Sequence, residues 1–149
     1  MHLRDPANEG LLEYLSAAGR DERLVAAPED VACDPYVGAG SHPDVVARVW
    51  DELGGTLPSD ARRLVLGTPA LVRAETGTVL AVTLGTAYAL RVPPSCWADA
   101  LRLGARQVHH YTAGSETLDV ARRFGADWVF GLWADEERVW CQKAYGGGF

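Results

Sequence analysis

The residues best placed by type to do chemistry lie between 109 and 115: His109, His110, Tyr111 and Ser115, with Arg91 upstream. Histidine titrates near neutral pH and is the usual general base, with tyrosine, serine and arginine as hydroxyl and cationic partners. The run Arg106–Thr112 reads as a strand, so His109 and His110 point to opposite faces and do not chelate one metal together. A metal centre would need more ligands converging from elsewhere, and Asp119 and Cys141 are the only ones in view, so none is assigned. A site built on these residues would sit at strand ends, where open sheets hold their ligands.

Two glycine-containing turns have the composition of anion cradles. Gly38-Ala39-Gly40-Ser41 half-matches a dinucleotide fingerprint, but Pro43 stands at its last position and Asp34-Pro35-Tyr36-Val37 makes a poor buried strand before it. Thr112-Ala113-Gly114-Ser115-Glu116 opens a helix whose amide groups would attract an anion; Glu116 repels one, and a Ser115 cap explains the residues. No cofactor is expected. The chain carries no G-x-S-x-G elbow, HExxH, G-x-x-x-x-G-K or EF-hand loop. Cys96 and Cys141 each neighbour a tryptophan (Trp97, Trp140) and read as small buried hydrophobes. Trp50, Trp97, Trp128 and Trp140 fall on the apolar phase of their elements, whereas Trp133 follows a strand beside acids and is the candidate interface anchor.

The elements that must position these groups are well punctuated. Asp5-Pro6 starts a helix bearing Leu11, Leu12 and Leu15, stopped by Gly19, and residues 20–41 read as a long loop. Ser41 is expected to cap a helix over Val45, Val46, Val49, Trp50 and Leu53, stopped by Gly54-Gly55. Three extended runs follow, Leu64–Ala74 broken at Pro69, Thr78–Leu84 and Thr86–Val92, separated by Glu75-Thr76-Gly77 and Gly85. Thr78–Leu84 is apolar on both faces and reads as central; Ala87, Ala89 and Arg91 suggest one wet or partner-facing side on the next strand. Ser95 is expected to cap a helix with Trp97, Ala100 and Leu101. After the Arg106–Thr112 strand come a helix with Leu118, Ala121 and Phe124, a strand Asp127–Trp133, and a last helix opening at Asp135-Glu136-Glu137 with Val139, Trp140 and Ala144 inward. The fold class is α+β with a mixed α/β sheet: an antiparallel β-meander followed by α-β-α-β-α, helices packed on one central sheet, and an extended N-terminal helical arm. The order of elements over residues 43–112 is similar to the core of PD-(D/E)xK nucleases. That resemblance implies an acid and an acid-x-Lys on the second and third strands; Thr78–Leu84 and Thr86–Val92 hold neither acid nor lysine, so no catalytic residue is carried over.

Composition bounds the function. The 149 residues suit one domain, and 48% apolar with 23% charged content suits a packed core. A net charge of −6 argues against nucleic acid and anionic membranes. Residues 1–42 hold eight acids and three arginines, so they are assigned as an acidic N-terminal helix and arm, with 43–149 as a single α+β domain. The longest uncharged run, Thr76–Leu90, is 15 residues and too short to span a bilayer. The first residues do not form a secretory signal, and three cysteines without a CxxC pair suit a reducing cytoplasm. The expectation is a non-catalytic binding or interaction protein, inhibitor- or immunity-like toward a basic partner, or a homodimer formed through the N-terminal arm. The alternative is a small enzyme, hydrolase-like or other, with its site around His109 and His110.

Overall fold

A computed structural model describes residues 3–16, 25–38, 40–108 and 124–148. Six strands form one sheet in chain order: β1 Val25–Ala26, β2 Arg62–Val65, β3 Thr68–Arg73, β4 Thr78–Leu84, β5 Ala87–Arg91 and β6 Trp128–Phe130. Every neighbouring pair is antiparallel. The helices are α1 Glu9–Ser16, α2 Pro35–Gly38, α3 Pro43–Ala47, α4 Trp97–Arg102 and α5 Glu137–Tyr145. The architecture is therefore α+β. No helix among the described residues is long and apolar enough to cross a membrane.

The sheet separates two apolar clusters. On the front, Val45, Val46, Val49, Trp50 and Leu53 meet Leu71, Leu80, Leu90 and Tyr88, together with Trp140, Cys141 and Ala144 of α5. On the back, Leu11 and Leu15 of α1 meet Val65, Ala70, Val72, Val79, Val82, Ala89 and Trp128. A slip in the β3–β4 register between Leu71 and Val72 leaves Leu80 unpaired, so consecutive Leu80 and Ala81 both join the front cluster. Beyond α3 the same helical stretch widens over Arg48–Leu53 into π geometry.

The chain start is tied to the back of the sheet. The Asp5 carboxylate accepts from Ala7 N at 2.9 Å and from the Thr78 hydroxyl. Fully buried Asn8 donates to Gly77 O and accepts from Val79 N, both at 2.8 Å, as a neighbouring strand would. Arg91 donates to Ala7 O at 2.9 Å.

Several sequence expectations differ from what is found. The wet side assigned to Ala87, Ala89 and Arg91 is covered: Ala89 and Arg91 are buried, because back-cluster residues pack over them. Residues 25–38, read as loop, contain β1 and α2, elements too short to show a periodicity. His42, not Ser41, caps α3, its Nδ1 accepting from Asp44 N at 3.1 Å, while Ser41 donates to Thr83 Oγ1 at 2.8 Å. Ser95 lies inside a tight turn before α4 and makes no cap. Val139 faces outward, since Glu137 takes the buried position at the start of α5. The Leu66–Gly67 link joins β2 to β3 with φ of 53° and 76°, a hairpin turn that normally takes Asn-Gly. Leu66 is buried on the back face, and that burial, roughly 1.5–3 kcal/mol, offsets its backbone strain. Of the expected Arg106–Thr112 strand, the described part contributes one bridge, Gln107 to Val129; His109 onward lies outside the described residues.

Candidate functional site around Trp133

Strand β6 stops where its neighbour's side chain leaves no room. A Cβ at Gly131 would sit 2.0 Å from the Tyr88 ring, and Gly131 N donates to Tyr88 O at 2.8 Å. The chain then turns sharply, and Trp133 adopts φ 59°. A bulky residue in the left-handed region costs on the order of 1–3 kcal/mol and persists only where its surroundings over-determine it.

Three side chains from three elements do so. Glu137 Oε2 accepts from Leu132 N at 2.7 Å. Tyr88 Oη accepts from Trp133 N at 2.8 Å and donates to Glu137 Oε1. Arg48 donates to Ala134 O at 2.6 Å, to Glu137 Oε1 at 2.9 Å and through Nε to Tyr88 Oη at 3.2 Å. Leu132, Trp133 and Ala134 are thus each held by a buried side chain. Arg48, Tyr88 and Glu137 are all nearly inaccessible. Hydrogen bonds to charged groups contribute about 1.5–3 kcal/mol each, enough together to outweigh the strain at Trp133.

Burial and the adjacent Glu137 carboxylate push the Tyr88 hydroxyl well above its ordinary value. Burial alone would lower Arg48, but its hydrogen bonds to Tyr88 and Glu137 and their charge hold it above the ordinary range. Both keep their protons through neutral pH, so Tyr88 donates and Arg48 stays cationic.

The product of this arrangement is a presented tryptophan. Trp133 is 49% exposed, the one aromatic among the exposed large hydrophobics of the described residues. Its ring meets Tyr88 edge-on at 5.5 Å and lies 5.7 Å from the Arg48 guanidinium carbon. Around it, Asp135 is 95% and Glu52 44% exposed, and Arg138 reaches Asp135 at 3.0 Å and Glu52 at 3.5 Å. Leu132 beside it is exposed as well.

Of the other candidates only Arg91 is among the described residues, and it does not join this cluster. Arg91 serves the back: it lies 5.0 Å from the Trp128 ring and bonds Val79 O, Asp127 and Ala7 O. Burial lowers its affinity for a proton, partly offset by Asp127 and Asp5. His109, His110, Tyr111 and Ser115 lie outside the described residues. Among the described residues no three of His, Cys, Asp or Glu gather to hold a metal. Sequence reasoning reached Trp133 but missed Arg48, Tyr88 and Glu137. The only trace of them is a charge inside the apolar run Val45-Val46-Val49-Trp50, four residues before Glu52. Compared with protein-family models, curated proteins and solved structures, the chain matches none of them.

Proposed function

We propose that the protein is a non-catalytic binding protein that engages a basic protein partner through the Trp133 face. The observation that carries this reading is the exposed Trp133 locked in a strained backbone by buried Arg48, Tyr88 and Glu137. Binding surfaces gain most from rigid aromatic anchors, because an ordered side chain loses little entropy on association. Exposed Asp135 and Glu52 beside it, on a chain of net charge −6, favour a partner carrying lysine and arginine around an apolar pocket. The same charge disfavours nucleic acid. A cytoplasmic setting is supported by the three free thiols. An N-terminal arm that pairs two copies is the lesser partner reading, since residues 3–16 already pack on the chain's own sheet.

The test is affinity capture with wild type and Trp133→Ala in parallel, at low and high salt, with captured proteins identified. A basic protein held by wild type at about 0.05 M salt, weakened at about 0.5 M and lost with Trp133→Ala supports the proposal. A partner retained equally by both chains contradicts it. The enzyme reading around His109 and His110 rests on residues outside those described, and no observation here favours it.

A further inference from the structure

Beside Trp133 the charged groups form one alternating chain. Glu137 meets Arg48 at 2.9 Å, Arg48 meets Glu52 at 3.3 Å, and Arg138 meets Glu52 at 3.5 Å and Asp135 at 3.0 Å. The chain begins and ends on a carboxylate, so three carboxylates share two guanidiniums. Its inner end is sealed: Glu137 is fully buried, and its oxygens are taken by Arg48, Tyr88 and Leu132 N. Its outer end is open. Asp135 is almost fully exposed and holds Arg138 through Oδ1, while its Oδ2 has no hydrogen-bond partner among the described residues. The uncompensated negative charge rests at this outer end, because a carboxylate short of a counter-charge costs least where water reaches it.

The exposed indole stands at the same end. Arg48 and Tyr88 are both buried, so the side of the Trp133 ring that meets them is its inward side, and the exposed half lies opposite. Arg48 does not repel a second cation from that half, since Glu137 and Glu52 neutralise it. Asp135 follows Trp133 by two residues, at most roughly 7 Å between Cα atoms. One guanidinium is therefore able to lie on the ring and reach Asp135 Oδ2 together. Arginine suits both contacts better than lysine: its plane stacks on an indole face and its fork matches a carboxylate, whereas an ammonium is a compact, strongly hydrated point charge.

We propose that the Trp133 face recognises an arginine of the partner, which stacks on the outward side of the indole and pairs with Asp135 as the third cation of the chain. This rests on the reading of Trp133 as a partner anchor and names the partner residue that it takes. In the free protein Arg138 draws on both Glu52 and Asp135, so it competes with the incoming arginine.

The experiment is a chemical-shift titration of the full chain with N-acetyl-L-arginine methylamide, and with its lysine and citrulline counterparts, read at the Trp133 indole N–H at a constant ionic strength of about 0.15 M. One stack and one exposed ion pair give an expected dissociation constant on the order of 30 mM. A saturable shift with arginine, binding of lysine and citrulline weaker by about threefold or more, and a similar weakening of arginine in Asp135→Asn support the proposal. Arg138→Gln should tighten arginine binding by about twofold, because it frees both carboxylates. A shift still linear at about 0.1 M arginine, lysine or citrulline binding as tightly, or unchanged affinity in Asp135→Asn overturns it. So does weaker binding in Arg138→Gln, the effect of losing a structural support. Asp135 is 95% and Arg138 35% exposed, so retained wild-type dispersion elsewhere in the spectrum verifies that both variants fold. The two readings fail separately: a basic protein captured through Trp133 with no saturable arginine shift removes this inference alone, and arginine binding with no captured partner removes the protein-partner reading alone.

Discussion

Replacing Glu137 with glutamine changes almost no volume yet removes the buried counter-charge of Arg48. In the wild type the carboxylate accepts from Arg48 at 2.9 Å, from Leu132 N at 2.7 Å and from the Tyr88 hydroxyl. An amide supplies one acceptor oxygen, so its NH2 must face Arg48 and Tyr88 or the Leu132 N–H. Breaking a buried pair from one side costs about 3–5 kcal/mol. Glu52, 3.3 Å from Arg48 and 44% exposed, compensates part of the lost charge, which places the expectation near the lower end, about 3 kcal/mol. With a urea slope of about 2 kcal/mol/M, the unfolding midpoint falls by about 1–2 M. Arg48→Met with Glu137→Leu removes both charges but still leaves Leu132 N and the Tyr88 O–H without an acceptor and Ala134 O without its donor, so it recovers stability only in part. A fall of less than about 0.5 M for Glu137→Gln would refute the reasoning. So would full recovery in the double variant, because the hydrogen bonds would then contribute nothing beyond charge balance.

The remaining expectations are smaller or more local. Gly131→Ala places a methyl group 2.0 Å from the Tyr88 ring, and calorimetry should show destabilisation of at least about 3 kcal/mol. Asn8→Ala orphans Gly77 O and Val79 N and should cost about 2–4 kcal/mol by urea denaturation, with exchange loosened first in α1 and the start of β4. The Thr78 and Ala7 hydrogen bonds hold Asp5 below its ordinary 3.8. Its contribution is therefore complete above that value and lost as pH falls through the lower folded value, so Asp5→Asn should flatten the acid limb of the stability profile. A native-state thiol assay at pH 8 should label exposed Cys33 quickly and leave Cys96 and Cys141 slow; burial, with Glu137 nearby, pushes the Cys141 thiol up to about 12.

What could be read from the sequence follows the range of the forces involved. Turn glycines at 77 and 85, both at positive φ, and the two-faced apolar pattern of Thr78–Leu84 report local backbone and burial, so the meander and its central strand were legible. Asp5-Pro6 likewise announced the start of the first helical segment. Buried Arg91 was not, because a charge in an alternating strand reads as an outward face unless the cover supplied by α1, more than 70 residues earlier, is known. The lock on Trp133 draws on positions 48, 88 and 137, contacts set by tertiary packing alone. Leu66 in a hairpin turn and Val139 on the outer face of α5 are failures of propensity and pattern for the same reason: what each packs against, or leaves exposed, is decided elsewhere in the chain.

Native-state hydrogen exchange at the Leu132 and Trp133 amides tests the lock directly. Both sit in a surface loop, yet each donates to a buried side-chain oxygen. Protection close to that of the β5 amides, lost at both positions in Glu137→Gln, is the predicted result. Exchange at the rate of an open loop in the wild type would contradict it, since Trp133 would then be a mobile side chain and not a presented anchor.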